Sequence, residues 1–174
     1  MIYTSSVTLT LAQKQLTRNG SISFFSETPL ENIDAHNNQV SGVLDLETGG
    51  LAFTLLMKAF IFEKALMQEH FNEKYVESHL YPKASFKGNI KDFDSSKLGT
   101  EQVDVTVSGK LTLHGVTRDL NVPATIVKLA NGNFEGKSVF NINIQDYDIK
   151  VPSAVRKNIA DNIEIKVNMV YEEM

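Results

Sequence analysis

Residues 103–113 read Val-Asp-Val-Thr-Val-Ser-Gly-Lys-Leu-Thr-Leu. Val103, Val105, Val107, Gly109, Leu111 and Leu113 fall on one side of an extended chain. Asp104, Thr106, Ser108, Lys110 and Thr112 fall on the other. Unbroken alternation of this kind predicts a long strand with one face buried. Gly109 in its interior predicts a bulge or a sharp bend.

The same period recurs on both sides of this stretch. Phe140, Ile142 and Ile144 alternate with Asn141, Asn143 and Gln145, and Ile163, Ile165, Val167 and Met169 alternate with Glu164, Lys166 and Asn168. Leu51, Phe53, Leu55 and Met57 form another row, and Val40, Gly42, Leu44 and Leu46 one more. Glu47-Thr48-Gly49-Gly50 separates these last two, so residues 40–58 read as a hairpin. Asn131-Gly132-Asn133 separates 122–129 from 134–145 in the same way. Ile22 and Phe24 mark an early strand after Asn19-Gly20, and Ala84, Phe86 and Gly88 mark one after Tyr81-Pro82.

One segment departs from the alternation. Residues 62–76, FEKALMQEHFNEKYV, contain neither Gly nor Pro, and Phe62/Leu66 and Met67/Phe71 recur four apart. This predicts a helix with an apolar stripe. Ser153–Ala160, after Val151-Pro152, is a second short helical candidate. With about eight strands and no βαβ alternation, the chain reads as antiparallel all-β, a sandwich or a closed barrel. Closure removes the edges that long strands otherwise leave exposed. No repeat or Pro/Ser/Gly-rich linker divides residues 1–174, which read as one domain.

Composition narrows the function classes. The chain has 174 residues, 17 Lys and Arg against 21 Asp and Glu, and a net charge of −4. That balance argues against a nucleic-acid partner. There is no cysteine, which removes disulfides, thiolate metal sites and thiol nucleophiles. No run of 18 apolar residues is present, so no helix is expected to span a membrane. Residues 1–20 hold no charged segment followed by an apolar one of signal-peptide type.

Motifs that carry chemistry are missing as well. His36, His70, His79 and His114 form neither H-x-H nor H-E-x-x-H, so no metal site is expected. No G-x-S-x-G, P-loop or G-x-G-x-x-G occurs. Glu172-Glu173 and Asp92/Asp94 lie in polar stretches suited to solvated surface. No cofactor and no catalytic residue is expected. The stripe Phe60, Phe62, Leu66, Met67 and Phe71 fits ordinary core packing. It also fits an adaptable wall for a chain-like ligand.

Several motifs together carry a family resemblance. Glu69-His70-Phe71-Asn72, Tyr81-Pro82-Lys83-Ala84-Ser85-Phe86-Lys87-Gly88 and Ser108-Gly109-Lys110-Leu111-Thr112-Leu113-His114-Gly115-Val116-Thr117-Arg118 closely resemble the YceI-like, or polyisoprenoid-binding, family. Residues 20–31, GSISFFSETPLE, look like the opening strand and loop of the branch common in Bacteroidetes. Asp146-Tyr147-Asp148-Ile149 resembles a late family segment, with Asp148 where Gly is usual. The resemblance spans about residues 18–172.

The resemblance implies an antiparallel, lipocalin-like eight-stranded barrel with one or two short helices. It implies non-covalent binding of a long-chain isoprenoid or other amphiphilic lipid, without catalysis, in the periplasm or outside the cell. The expected ligand-lining residues are Phe53, Leu55, Met57, Phe86, Val105, Val107, Leu111, Phe140, Ile142 and Ile165. Alternation says that these share buried faces; their convergence on one cavity is the expectation. A barrel filled by its own side chains, serving as an interaction module, is the alternative, and a lipid-acting enzyme is a more remote one. The sequence sets no oligomeric state, and a homodimer stays open.

Overall fold

The computed structural model describes residues 13–174. Nine strands run in chain order: β1 Lys14–Glu27, β2 Asn32–Asp45, β3 Gly50–Leu56, β4 Ile61–Phe62, β5 Lys83–Ile90, β6 Val103–Leu113, β7 Val116–Lys128, β8 Phe134–Asn143 and β9 Asn162–Glu173. Antiparallel pairing runs β1–β2–β3–β5–β6–β7–β8–β9 and returns to β1. Eight strands thus close into a barrel, and every one of them has two neighbours. The short β4 lies outside that ring, paired with β2 through Ala35–Phe62 and His36–Ile61.

β6 spans 103–113 as its alternation predicts, with Leu111 and Leu113 buried, Val103, Val105 and Val107 half-buried, and Asp104, Thr106 and Lys110 exposed. No bulge forms at Gly109. The register with β5 and β7 runs through it without a shift. The glycine answers a close approach instead. Gly109 pairs with Gly88, and a Cβ added at Gly109 would lie 2.4 Å from the Lys87 carbonyl oxygen and 2.6 Å from Phe86 Cζ. Two facing glycines leave a gap in the inner face, and the Phe86 ring fills it.

The hairpin turns also obey their sequence. β2 and β3 pair from Ser41–Thr54 to Leu44–Leu51. Between β6 and β7, His114 and Gly115 both have positive φ, 52° and 72°. Two such residues make the two-residue turn whose twist matches the strands, and Leu113 pairs with Val116 across it. β1 starts earlier than Asn19-Gly20 suggests, at Lys14, and its register with β2 shifts on both sides of Gly20. Asn19-Gly20 is therefore an irregularity within a strand.

The expected helix over 62–76 is shorter and divided. Phe62 belongs to β4, the helix α1 covers Ala65–His70, and a wider π turn covers Phe71–Tyr75. Pairing of Ile61 and Phe62 with β2 outweighs their helical spacing, because an apolar pair gains more from a ladder than from an uncapped helix start. The Phe62 N–H donates to Gln68 Oε1 at 3.2 Å, tying strand to helix. The stripe does not bury as one face: Phe71 is buried, whereas Leu66 is 60% exposed. The second helical candidate reduces to a 3-10 turn, Ser153–Val155. Residues beyond it are held as a loop, by the Arg156–Asp161 pair and by Ala160 N–H donating to Ser26 Oγ at 2.9 Å.

Candidate functional site

Inward-facing side chains do not fill the barrel evenly. A cavity of about 450 Å³ occupies one half of it. Period two makes the strands contribute in layers. Leu55 of β3, Leu111 and Leu113 of β6, Ile142 of β8 and Ile163 and Ile165 of β9 form the wall. The loop residues Ile144, Ile149, Val151 and Ile159 complete it.

Aromatic side chains line one flank. Phe24 and Phe71 contact each other, and each contacts Phe60 and Phe62, with ring centroids 5.0–5.7 Å apart. β1, β4, the turn after β3 and the π turn each supply one ring. Such stacked, tilted and edge-on pairs pack densely and present apolar surface to the cavity. Met57 and Met67 add deformable thioethers beside them.

Polar groups gather at the rim. Lys64 Nζ lies 3.7 Å from Glu31 Oε1, and Asn158 Nδ2 donates to Glu31 Oε2 at 3.1 Å. His70 and Tyr75 join them in the lining. Burial, and secondarily the Glu31 charge, push the Tyr75 phenol above its usual range. Lys64 and Leu66 are largely exposed while lining the cavity, so this is the side where it meets solvent. The site therefore offers apolar walls and, at one end, a few hydrogen-bonding groups with one paired charge of each sign.

Of the ten residues expected to line a cavity, the structure brings seven together here: Phe53, Leu55, Met57, Leu111, Phe140, Ile142 and Ile165. Phe86, Val105 and Val107 are not among them. They line a separate void of about 80 Å³ in the other half of the barrel. Alternation placed them on the inner face, but the inner face serves two compartments. Residues of the stripe, Phe60, Phe62, Leu66, Met67 and Phe71, also line the large cavity. Ile144 continues the alternating row of Phe140 and Ile142, whereas Glu31 and the lining residues between 149 and 159 lie in loops, which carry no period to read.

Other motif residues, His114, Tyr81, Tyr147 and Asp148, cluster away from the cavity. His114 is buried; its Nδ1 lies 2.9 Å from the Tyr147 carbonyl oxygen and its Nε2 2.9 Å from Glu77 Oε2. Tyr81 stands edge-on to the ring at 4.5 Å. Asp148 has φ 54° and ends the 3-10 turn Ile144–Tyr147. Glycine favours that left-handed region, and aspartate is among the residues that tolerate it. Among the described residues, no three His, Asp or Glu side chains come together as metal ligands, and no helix is long and apolar enough to cross a membrane.

A closed antiparallel barrel enclosing an apolar cavity beside a short helix is a small-ligand binding architecture. The YceI-like domain matches residues 8–171, and the chain belongs to that family. Solved structures share the fold. A polyisoprenoid binding domain from Saccharophagus degradans, implicated in plant cell wall breakdown, is 15% identical with a TM-score of 0.80, over 94% of this chain and 99% of that one. BcnA of Burkholderia cenocepacia is 19% identical with a TM-score of 0.71, over 92% and 97%. A YceI protein of Campylobacter jejuni is 17% identical with a TM-score of 0.64, over 80% and 85%. No curated protein matches the sequence.

Proposed function

We propose that this protein binds one apolar chain, isoprenoid or fatty-acyl, without reacting with it, and acts as a carrier or store outside the cytoplasm. The observation that carries this reading is the cavity itself: its strand-derived lining is apolar except for Ser26 of β1, and Glu31, Lys64, His70, Tyr75 and Asn158 come from the helix and loops. Each methylene moved from water into such a space contributes about 0.8 kcal/mol before the costs of association. The polar groups at the rim suit a head group that stays near solvent. The polyisoprenoid-binding relative of like fold supports the chain class, and the family's usual setting supports the compartment.

The rival readings fit less well. An interaction module would need side chains meeting across the barrel axis, and only the half beyond Phe53 is so filled. An enzyme would need a nucleophile or an acid/base pair within the cavity. Among the described residues the titratable groups that line it are Glu31, Lys64, His70 and Tyr75, and Glu31 is engaged by Lys64 and Asn158.

Thermal unfolding with added farnesol or palmitic acid tests the proposal. A ligand that binds only the folded state raises Tm with its concentration. Leu111→Trp, which projects an indole into the cavity, should abolish that rise while circular dichroism stays barrel-like. Wild-type protein showing no rise with either compound would overturn the reading.

A further inference from the structure

The barrel interior is divided at one layer, and the division has a consequence for ligand length. Along β3, Leu51 faces the small void, Leu55 faces the large cavity, and Phe53 between them borders both. Phe140 holds the same position on β8, between Ser138 and Ile142, and Val167 on β9, between Met169 and Ile165. On β6 the corresponding residue is Gly109, whose inner face is covered by the Phe86 ring.

Phe53 and Phe86 are direct cross-strand partners, and their rings stack at 5.3 Å with 20° between planes. Phe86 is 3% exposed. It is wedged against the backbone of Gly88 and Gly109, where any added Cβ would lie within 2.8 Å of its Cζ. A ring braced in that way cannot swing aside, so Phe53 has a rigid backing.

We infer that the Phe53–Phe86 stack is the floor of the binding site and fixes the length of chain the protein accepts. This inference rests on the chain-binding reading above. Its scale follows from volume. An apolar cavity of about 150 Å³ accommodates one benzene molecule, or about 25 Å³ per carbon. At that density a cavity of about 450 Å³ holds about eighteen carbons, that is, an acyl chain of about 16–18 carbons or three to four prenyl units. Carbons beyond that number stay in water and add no affinity. The substrate class is thus a medium-length single chain, and a long polyprenyl chain would leave most of its length outside.

Saturated primary alcohols of about 10 to 22 carbons, compared by competitive displacement of a fluorescent fatty acid, read this directly. Affinity should rise about fourfold per methylene and level off near eighteen carbons. In Phe53→Ala the two compartments join. The void of about 80 Å³ then admits at least about three more carbons, so the plateau should move up by that amount or more. Phe53→Leu, a milder change, should move it in the same direction should the alanine variant fail to fold. Val107→Phe, which fills only the void below the floor, should leave the wild-type series unchanged. A wild-type series still rising at 22 carbons, a plateau unmoved in both Phe53 variants, or loss of binding in Val107→Phe would overturn the floor while leaving chain binding intact. Failure of every alcohol to displace the probe would overturn chain binding itself, and the floor with it.

Discussion

His114 Nε2 lies 2.9 Å from Glu77 Oε2, and both residues hold left-handed backbone, with φ of 52° and 45°. The other ring nitrogen faces the Tyr147 carbonyl oxygen. Each ring nitrogen thus faces an oxygen of a different segment. One side chain thereby joins the β6–β7 turn, the segment after the π turn and the loop after β8. His114→Ala should cost about 3 kcal/mol, through orphaned acceptors and the lost packing on Tyr81. Urea unfolding checks it, and a loss below about 0.5 kcal/mol would show that the cluster is dispensable.

The same geometry bears on metals. With both His114 nitrogens engaged within the protein, no structural ion is expected to depend on it. Exhaustive EDTA treatment should leave Tm unchanged. A drop of several degrees reversed by zinc would contradict this.

Leu66 and Phe71 lie on one helical stripe in the sequence but have different burial. Leu66→Ala should change stability by no more than about 0.5 kcal/mol, since its side chain is largely in solvent. Phe71→Ala should cost about 3–5 kcal/mol, because Phe71 packs on Phe24, Phe60 and Phe62. Equal effects in paired urea titrations would mean that the stripe buries as a unit.

Tyr171 supplies a pH signature. Burial pushes its phenol up to about 12 from the ordinary 10.0. The unfolded chain releases this proton first, so stability is intact below pH 10 and falls as pH rises toward 12. The gap corresponds to about 3 kcal/mol. Tyr171→Phe should remove that part of the alkaline loss. An alkaline unfolding curve identical in both proteins would show that the phenol ionises without hindrance.

How much was legible beforehand follows from which forces act locally. Period-two alternation fixed β6, β8 and β9 to within a few residues, because a strand at a water boundary must sort its side chains by face. Glycine-containing turns fixed the hairpins at 45–50 and 128–134, because positive φ is cheap only for a few residues. The resemblance of residues 81–88 and 108–118 to the YceI-like family, with the match over 8–171, supplied closure of the barrel, which alternation alone could not separate from a sandwich.

What the sequence determined by itself was therefore which side chains turn inward. Only the tertiary structure decided how the interior is shared. Phe53, Phe86, Val105 and Val107 look alike as alternating apolar residues, yet Phe53 borders both compartments while Phe86, Val105 and Val107 line only the smaller one. Glu31, Lys64 and Asn158 meet at the rim across long stretches of chain. Leu66, in a helix with no buried residue, is left at the opening. Local pattern records the preference of each residue for water or for the interior. It carries no record of where along a barrel axis two strands place their residues at the same height, because that depends on register and closure.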